Sequence, residues 1–251
     1  TMSHIHIDQV FKTYPGNPPV RALENIGLDI APGEFVALLG PSGCGKSTLL
    51  NAIASFEKIT SGTLTVGGQA MEAPGPDRGV VFQEAALFPW LTVWENIIFG
   101  PKAQGLKPAD YEEHAGEMLA IMGLNDFKHH LPIQLSGGMR QRVGIARVLT
   151  LGSKILLMDE PFGALDAQTR LSMQELLLSV WDRLKPTVIF VTHDIDEALF
   201  LADKVYVMSA RPGRIESMLL VNLPRPRTIE MTATTAFNEM KLEILHKIRG
   251  H

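Results

Sequence analysis

Cysteine is nearly absent from this chain. Of 251 residues only Cys44 is a cysteine, so no internal disulfide can form and nothing staples the fold for an oxidising compartment. Long hydrophobic runs are missing too: no apolar stretch approaches the ~18 residues that a bilayer-spanning helix needs. The N-terminus lacks the basic start and apolar core of a secretory signal, and Thr1 ahead of Met2 reads as an added residue. There is no basic excess. With 23 Lys and Arg against 27 Asp and Glu, the net charge of −4 argues against a general nucleic-acid binder. No internal repeat or low-complexity tract is visible. What is there, 45% hydrophobic and 20% charged residues, is the composition of an ordinary soluble globular protein, expected in the cytoplasm. The length suits one large domain or two small ones.

The first third reads as β-rich. Alternation in Ile5-His6-Ile7 suggests an edge strand, and Ile26-Gly27-Leu28-Asp29-Ile30 another strand, ended by the Pro32-Gly33 turn. Gly62-Thr63-Leu64-Thr65-Val66 followed by Gly67-Gly68 reads as a hairpin. The apolar runs Gly79–Phe82, Ile155–Met158 and Val188–Val191 lack alternation, as expected of parallel strands buried on both faces. Helical periodicity appears at Pro108–Met122, Met139–Leu149, Ala167–Leu184 and Ile195–Leu201. Val205–Met208 and Ile215–Val221 read as further strands. Pro224-Arg225-Pro226 then leads to a last amphipathic helix with Phe237, Met240, Ile244, Leu245 and Ile248 on one face. The mixture predicts a helix-covered α/β core with an antiparallel β portion, interrupted by a helical segment near 89–150.

The most specific feature is Gly40-Pro41-Ser42-Gly43-Cys44-Gly45-Lys46-Ser47, which fits G-x-x-x-x-G-K-S/T. An apolar stretch, Glu34–Leu39, precedes it and a helix-like stretch, Ser47–Ala54, follows, which is the strand–loop–helix context the motif requires. Glycines let the backbone curl with its N–H groups toward phosphate oxygens, and the helix adds its positive N-terminal end. Lys46 is then expected to reach the β- and γ-phosphates, and the Ser47 hydroxyl to ligate Mg²⁺. Cys44 reads as a small space-filler within the loop.

Two further groups carry chemistry. Lys154–Glu160 places Asp159 and Glu160 at the end of a buried strand, the end at which ligands sit in open parallel sheets. There Asp159 is expected to hold Mg²⁺ through water, and Glu160 to polarise the attacking water. In Leu135-Ser136-Gly137-Gly138-Met139-Arg140-Gln141-Arg142, Ser136 can cap a helix beginning near Met139, and the two glycines leave its N–H groups uncovered. Such a helix end is a second anion site. His4 and His6 lie two apart on one strand face with no evident third ligand, His129-His130 reads as a loop pair, and Met118 and Met122 read as helix core.

Taken together, these residues resemble the ATP-binding-cassette (ABC) ATPases, whose signature reads LSGGQ. Met139 stands where that family usually has Gln, the signature position least tied to phosphate binding. The resemblance covers nearly the whole chain. It implies an α/β fold with a P-loop (RecA-like) core, an antiparallel β subdomain and a helical subdomain. A single cassette is expected over 1–251, with 1–88 and 151–251 as α/β core and β subdomain and 89–150 as the helical subdomain bearing the signature. The resemblance assigns Tyr14 to stacking on adenine, Gln83 to the Q-loop, Ala164-Leu165-Asp166 to the D-loop and His193 to the γ-phosphate switch. Alone, Tyr14 would read as a strand-end aromatic, Gln83 as a strand-end amide and His193 as a helix-start residue. The implied ligands are ATP and Mg²⁺. Nucleotide contacts are expected from Tyr14, Gly40, Pro41, Ser42, Gly43, Cys44, Gly45, Lys46, Ser47, Thr48, Gln83, Ser136, Gly137, Gly138, Met139, Asp159 and Asp166. Ser47, Gln83 and Asp159 are expected to hold the metal, and Lys46, Gln83, Glu160 and His193 to carry catalysis.

A narrower likeness lies in Pro76-Asp77-Arg78-Gly79-Val80-Val81-Phe82-Gln83 and Leu87–Asn96, which look like the nitrate/sulfonate/taurine group of bacterial importer ATPases. That group implies integral membrane permease subunits docking at 84–94, with Phe88, Trp90 and Trp94 as a greasy socket, and Trp90 the better placed. Core burial of both tryptophans is the plainer alternative. The resemblance also implies a head-to-tail dimer of two copies, each ATP lying between Lys46 of one and Ser136 of the other. The solute, a small anion such as a sulfonate, taurine or nitrate, would be chosen by the membrane subunits and a periplasmic or extracellular solute-binding protein. The chain itself would sit peripherally on the cytoplasmic face of the cell membrane. The segment after His193 is expected to complete the cassette without a regulatory domain, so control would arrive through the membrane subunits. Soluble chromosome-maintenance or DNA-repair ATPases share these motifs but carry a long coiled coil between Q-loop and signature. Here that stretch is roughly fifty positions without sustained heptads. A translation-type cassette would need two tandem copies, and a nucleotide kinase would lack the helix start at Ser136 and the switch at His193. An exporter ATPase remains an alternative.

Overall fold

Period-two burial builds the first sheet. In the computed structural model, which describes residues 3–249, Ile5, Ile7 and Val10 of β1 (Ile5–Tyr14) are buried with Ile26, Leu28 and Ile30 of β2 (Val20–Ile30). Thr1 and Met2, where the sequence suggests an added residue, lie outside the described residues. The strands run antiparallel, Ile5 opposite Ile30 and Ile7 opposite Leu28. After β3 (Phe35–Leu39) and α1 (Lys46–Ile53), β4 (Ser61–Val66) pairs with the other side of β1, Ile5 opposite Val66 and Ile7 opposite Leu64. Ile5–Ile7 is therefore not the edge strand suggested by its alternation. Alternation reports one buried face, and β1 is hydrogen-bonded on both sides. The expected hairpin forms at Gly67-Gly68, whose φ values of 61° and 83° meet the type I′ requirement, and returns as β5 (Gln69–Ala70).

The chain divides into two compact units, one holding the chain up to Pro74 and from Lys185 onward, the other Gly75–Leu184. The second opens with β6 (Arg78–Val81), followed by α2 (Val93–Ala103), α3 (Pro108–Ile121) and α4 (Gly137–Thr150), which pack on one another. Periodicity does not reveal α2. Its start is nonetheless written in a capping box: Thr92 Oγ1 accepts from the Glu95 N–H at 3.2 Å, and the Glu95 carboxylate accepts from the Thr92 N–H at 2.8 Å. Met118 and Met122 are buried in the helix core, as expected. Next, β7 (Ile155–Asp159) runs parallel to β6, Arg78 opposite Ile155 and Val81 opposite Met158, and α5 (Ala167–Leu184) closes the unit. A Cβ added to Gly79 would lie 1.8 Å from Val148 Cγ1, so β6 presses on α4 with no room for a side chain.

Back in the first unit, β8 (Thr187–Thr192) lies parallel to β3, Phe35 opposite Val188 and Leu39 opposite Thr192. Then come α6 (Ile195–Leu201), β9 (Lys204–Ser209) on the other side of β3, and β10 (Arg214–Leu220) antiparallel to β9. All of β3 is buried between these neighbours, which explains its unbroken apolar run. The Pro-rich stretch has a structural task. The buried Arg227 guanidinium donates to the carbonyls of Leu199 (2.9 Å), Phe200 (3.2 Å) and Ala202 (3.1 Å) at the end of α6. Burial pulls its pKa down to about 10, which leaves it charged at neutral pH. The last helix, α7 (Thr235–Arg249), packs on α6 through Phe237 and Ile244 and an ion pair from Lys241 to Asp196 at 2.8 Å. Among the described residues, no helix is long and apolar enough to cross a membrane.

Candidate active site

In the first unit the chain leaves β3 into a loop that only glycines can make. A Cβ on Gly40 would lie 2.8 Å from both Cys44 Sγ and the Met208 carbonyl oxygen. Gly45 has φ 91°, and a Cβ there would meet Leu23 Cδ2 at 2.8 Å. Gly45 is the N-cap residue of α1 and, having no side chain, gives the helix start no side-chain hydrogen bond of its own. Cys44 is buried beneath the loop, the space-filling place expected of it, while Pro41, Ser42, Gly43 and Ser47 are exposed and Thr48 half-buried. Lys46 is only 5% exposed, and its ammonium donates back across the loop to the Gly40 carbonyl. Curl, a helix N-terminus and a buried cation together suit polyphosphate.

Two other expected residues belong to this unit. Tyr14 is half-buried at the end of β1, with the Lys12 ammonium 4.8 Å from its ring centroid. His193 is exposed just after β8, in a turn fixed on both sides. The Thr192 hydroxyl donates to Glu197 at 2.7 Å, and Asp194 caps α6 by accepting from the Glu197 N–H at 3.1 Å. His4 and His6 both bond the same oxygen of Asp29, at 2.9 and 3.0 Å. Among the described residues no group of three or more His, Cys, Asp or Glu is arranged to hold a metal by itself.

In the second unit β7 delivers Asp159 and Glu160, both half-buried. Glu160 sits at φ 45°, a left-handed conformation that costs a non-glycine residue about 1–2 kcal/mol. Its carbonyl accepts from the Gly163 N–H at 3.1 Å, and Pro161 and Phe162 are buried behind it. Asp166 caps α5, accepting from the Thr169 N–H at 3.2 Å. Hydrogen bonds from Thr169, the hydroxyl first and the backbone second, hold its carboxyl below the usual range. Ser136 is exposed and caps α4, accepting from the Met139 N–H at 3.2 Å, and the helix begins at Gly137 rather than Met139. Gly138 is buried, and a Cβ there would lie 2.7 Å from Thr169 Cγ2. That glycine answers to close packing of α4 on α5, a demand the anion-site reading did not contain.

Gln83 is exposed beyond β6. Its surroundings contain the residues that sequence reasoning missed. Gln141 Nε2 donates to the carbonyls of Phe82 (3.1 Å), Gln83 and Pro161 (2.6 Å), and Arg147 donates to those of Ala85 (2.8 Å) and Ala86 (3.2 Å). Burial lowers the Arg147 pKa. Gln141 and Arg147 are both polar residues of α4, and nothing in its helical period marks them as facing these carbonyls.

The model of the ABC transporter family matches residues 23–163, more than half of the chain. This chain belongs to the ABC transporter family. It is 46% identical to the nitrate import ATP-binding protein NrtD of Synechocystis sp., over 98% of this chain and 96% of that protein. It is 55% identical to the taurine import ATP-binding protein TauB of Rhizobium johnstonii, over 78% and 75% of the two. Among solved structures, the dimeric bacterial ABC transporter cassette MJ0796 superposes with TM-score 0.76 at 34% identity, covering 88% of this chain and 100% of that one. A post-hydrolysis dimer of the same cassette bound to ADP and Pi gives 0.75 at 33% identity, with the same coverage.

The ABC cassette also exposes an apolar groove in the segment after Gln83. Trp90 is 72% exposed and, with Leu91, Ile98 and Phe99, lines a cavity of about 340 Å³ rimmed by Glu95 and Lys102. The Phe88 ring lies 5.6 Å from Trp90 and 4.4 Å from Phe99. Trp94 is half-buried, with Lys128 4.2 Å above its ring. The loop carrying Trp90 is pinned by the fully buried Asn96. Its Oδ1 accepts from the Phe88 N–H at 2.9 Å, and its Nδ2 donates to the carbonyls of Phe88 (3.2 Å), Leu91 (3.1 Å) and Thr92 (3.0 Å).

Proposed function

We propose that this chain is the ATP-hydrolysing subunit of an importer, powering passage of a small solute through separate membrane subunits. The carrying observation is that one chain holds both a crowded, glycine-curled phosphate loop with a buried Lys46 and a strand end that presents Asp159 and a left-handed Glu160. Lys46 and the N-terminal end of α1 bind the β- and γ-phosphates, Tyr14 stacks on adenine, and His193 contacts the γ-phosphate. Ser47, Asp159 and Gln83 would hold Mg²⁺, which supplies charge neutralisation on the phosphate oxygens. Glu160 takes the proton of the attacking water, and backbone strain of this kind persists where placement of a side chain matters.

Two copies work head to tail, Ser136, Gly137, Gly138 and Met139 of one closing over nucleotide held by Lys46 of the other. The likeness to a dimeric cassette supports this arrangement. The solute is a small anion such as nitrate, taurine or a sulfonate, a reading supported by the nitrate- and taurine-import relatives. The Trp90 groove receives the permease, and the chain sits peripherally on the cytoplasmic membrane face. A soluble DNA-repair type is disfavoured because the longest helix between Gln83 and Ser136 has 14 residues, too short for a coiled-coil arm. The test is ATP hydrolysis by the complex reconstituted with permease and solute-binding protein. Solute-loaded binding protein should raise turnover in that complex and leave the isolated chain unchanged. Stimulation of the isolated chain by the solute alone would overturn the reading.

A further inference from the structure

Gln141 follows the signature residues Leu135–Met139 in the same run, has no assigned nucleotide contact, and is the fifth residue of the helix that Ser136 caps. It is 3% exposed, and three backbone carbonyls converge on its side-chain nitrogen: Phe82 at 3.1 Å, Pro161 at 2.6 Å, and Gln83. Only a donor fits such a nest, since an acceptor there would face three carbonyl oxygens. Its Oε1 is buried without a hydrogen-bond partner, so the amide is held by what it donates.

The three acceptors are chemically pointed. Pro161 directly follows Glu160, whose left-handed backbone an L-residue keeps only when the flanking peptides are fixed. The peptide after Glu160 is held by the Gly163 N–H on the Glu160 carbonyl, and the next peptide by Gln141 on that of Pro161. The other two acceptors are the Q-loop backbone at Phe82 and Gln83, and Arg147 on the same helix extends the hold to Ala85 and Ala86. We propose that Gln141 is a positioning residue for hydrolysis, setting the backbone at Glu160 and Gln83 from the helix whose first turn is the signature. Signature, Q-loop and catalytic carboxylate then move as one hydrogen-bonded body. This rests on the reading of Glu160 as the base.

The test uses the full chain, with ATP hydrolysis and fluorescent-ATP affinity measured side by side. Gln141→Met keeps the length and removes the donor; Gln141→Asn keeps the amide and withdraws it by one methylene. Turnover should fall about tenfold or more in the Met variant and less in the Asn variant, while the Kd for ATP stays within about twofold. A purely structural role would not spare affinity in this way. In the Glu160→Gln background, adding Gln141→Met should lower the residual rate no further, because both changes disable one unit. A folded Gln141→Met protein with parental turnover would overturn the proposal, as would a loss that adds to that of Glu160→Gln. If the Met variant does not fold, the Asn variant takes its place: reduced turnover at parental affinity supports the proposal, and parental turnover overturns it. If Glu160→Gln itself turns over at the parental rate, the hydrolysis reading falls. If Glu160→Gln is inactive while both Gln141 variants are normal, only this proposal falls.

Discussion

Replacing Asn96 by Leu should uncouple the cassette from its membrane partner without disabling the cassette itself. Asn96 is fully buried and makes four hydrogen bonds to the loop bearing Trp90. Not all of those partners are orphaned by its loss. The Phe88 carbonyl still accepts from the Leu91 N–H at 3.1 Å, and the Thr92 carbonyl from the Asn96 backbone N–H at 2.9 Å. The Phe88 N–H and the Leu91 carbonyl lose their partner. At about 1–3 kcal/mol for each buried group left unsatisfied, the range is about 2–6 kcal/mol. The loop lies at the surface, so water can reach both groups once it loosens. We therefore expect the lower end, about 2 kcal/mol, spent on local opening rather than global unfolding. Amide hydrogen exchange is the assay: the Phe88 amide should exchange about thirty-fold faster, the factor equivalent to 2 kcal/mol. Hydrolysis by the isolated chain should survive, since Lys46 and Glu160 are untouched, while stimulation in the reconstituted complex should drop. Parental protection at Phe88, or loss of isolated turnover with stimulation intact, would show that Asn96 does not pin this loop for the permease.

Other outcomes follow from the same site. Lys46→Ala removes a charge-assisted phosphate contact of about 1.5–3 kcal/mol, so ATP affinity measured by calorimetry should fall about 10- to 150-fold. Parental affinity would remove Lys46 from the site. Ser136→Arg places a bulky cation at an exposed helix start, and light scattering should show ATP-driven dimerisation blocked while each monomer still binds ATP. Unchanged dimer formation would count against the head-to-tail arrangement.

Legibility in the sequence tracks how local each signal is. The phosphate loop is contiguous, so its glycines, Lys46 and Ser47 can be read directly, and the buried strands β3, β7 and β8 announce themselves by unbroken apolar runs. Pairing is not local. β1 reads as an edge because its second partner, β4, lies some fifty residues away in sequence, though Ile5 and Ile7 face it directly. The helix α2 is hidden because Pro101 and mixed residues blur its period, leaving only the Thr92–Glu95 box as a sign. Gln141 and Asn96 are invisible for a third reason. Each bonds to backbone carbonyls, which every residue has, so nothing in their partners' identities betrays the contact. Gly138 shows the converse: its residue type stands out in the sequence, and a packing demand from Thr169 is added only by the fold.

On the function proposed above, Glu160 performs the hydrolytic step for a dimer closed by ATP. Glu160→Gln preserves shape and removes the base, so size-exclusion chromatography with ATP and Mg²⁺ should show an accumulated closed dimer, and phosphate release should be nearly abolished. A Glu160→Gln chain that releases phosphate at the parental rate and remains monomeric with ATP would show that Glu160 is not the base.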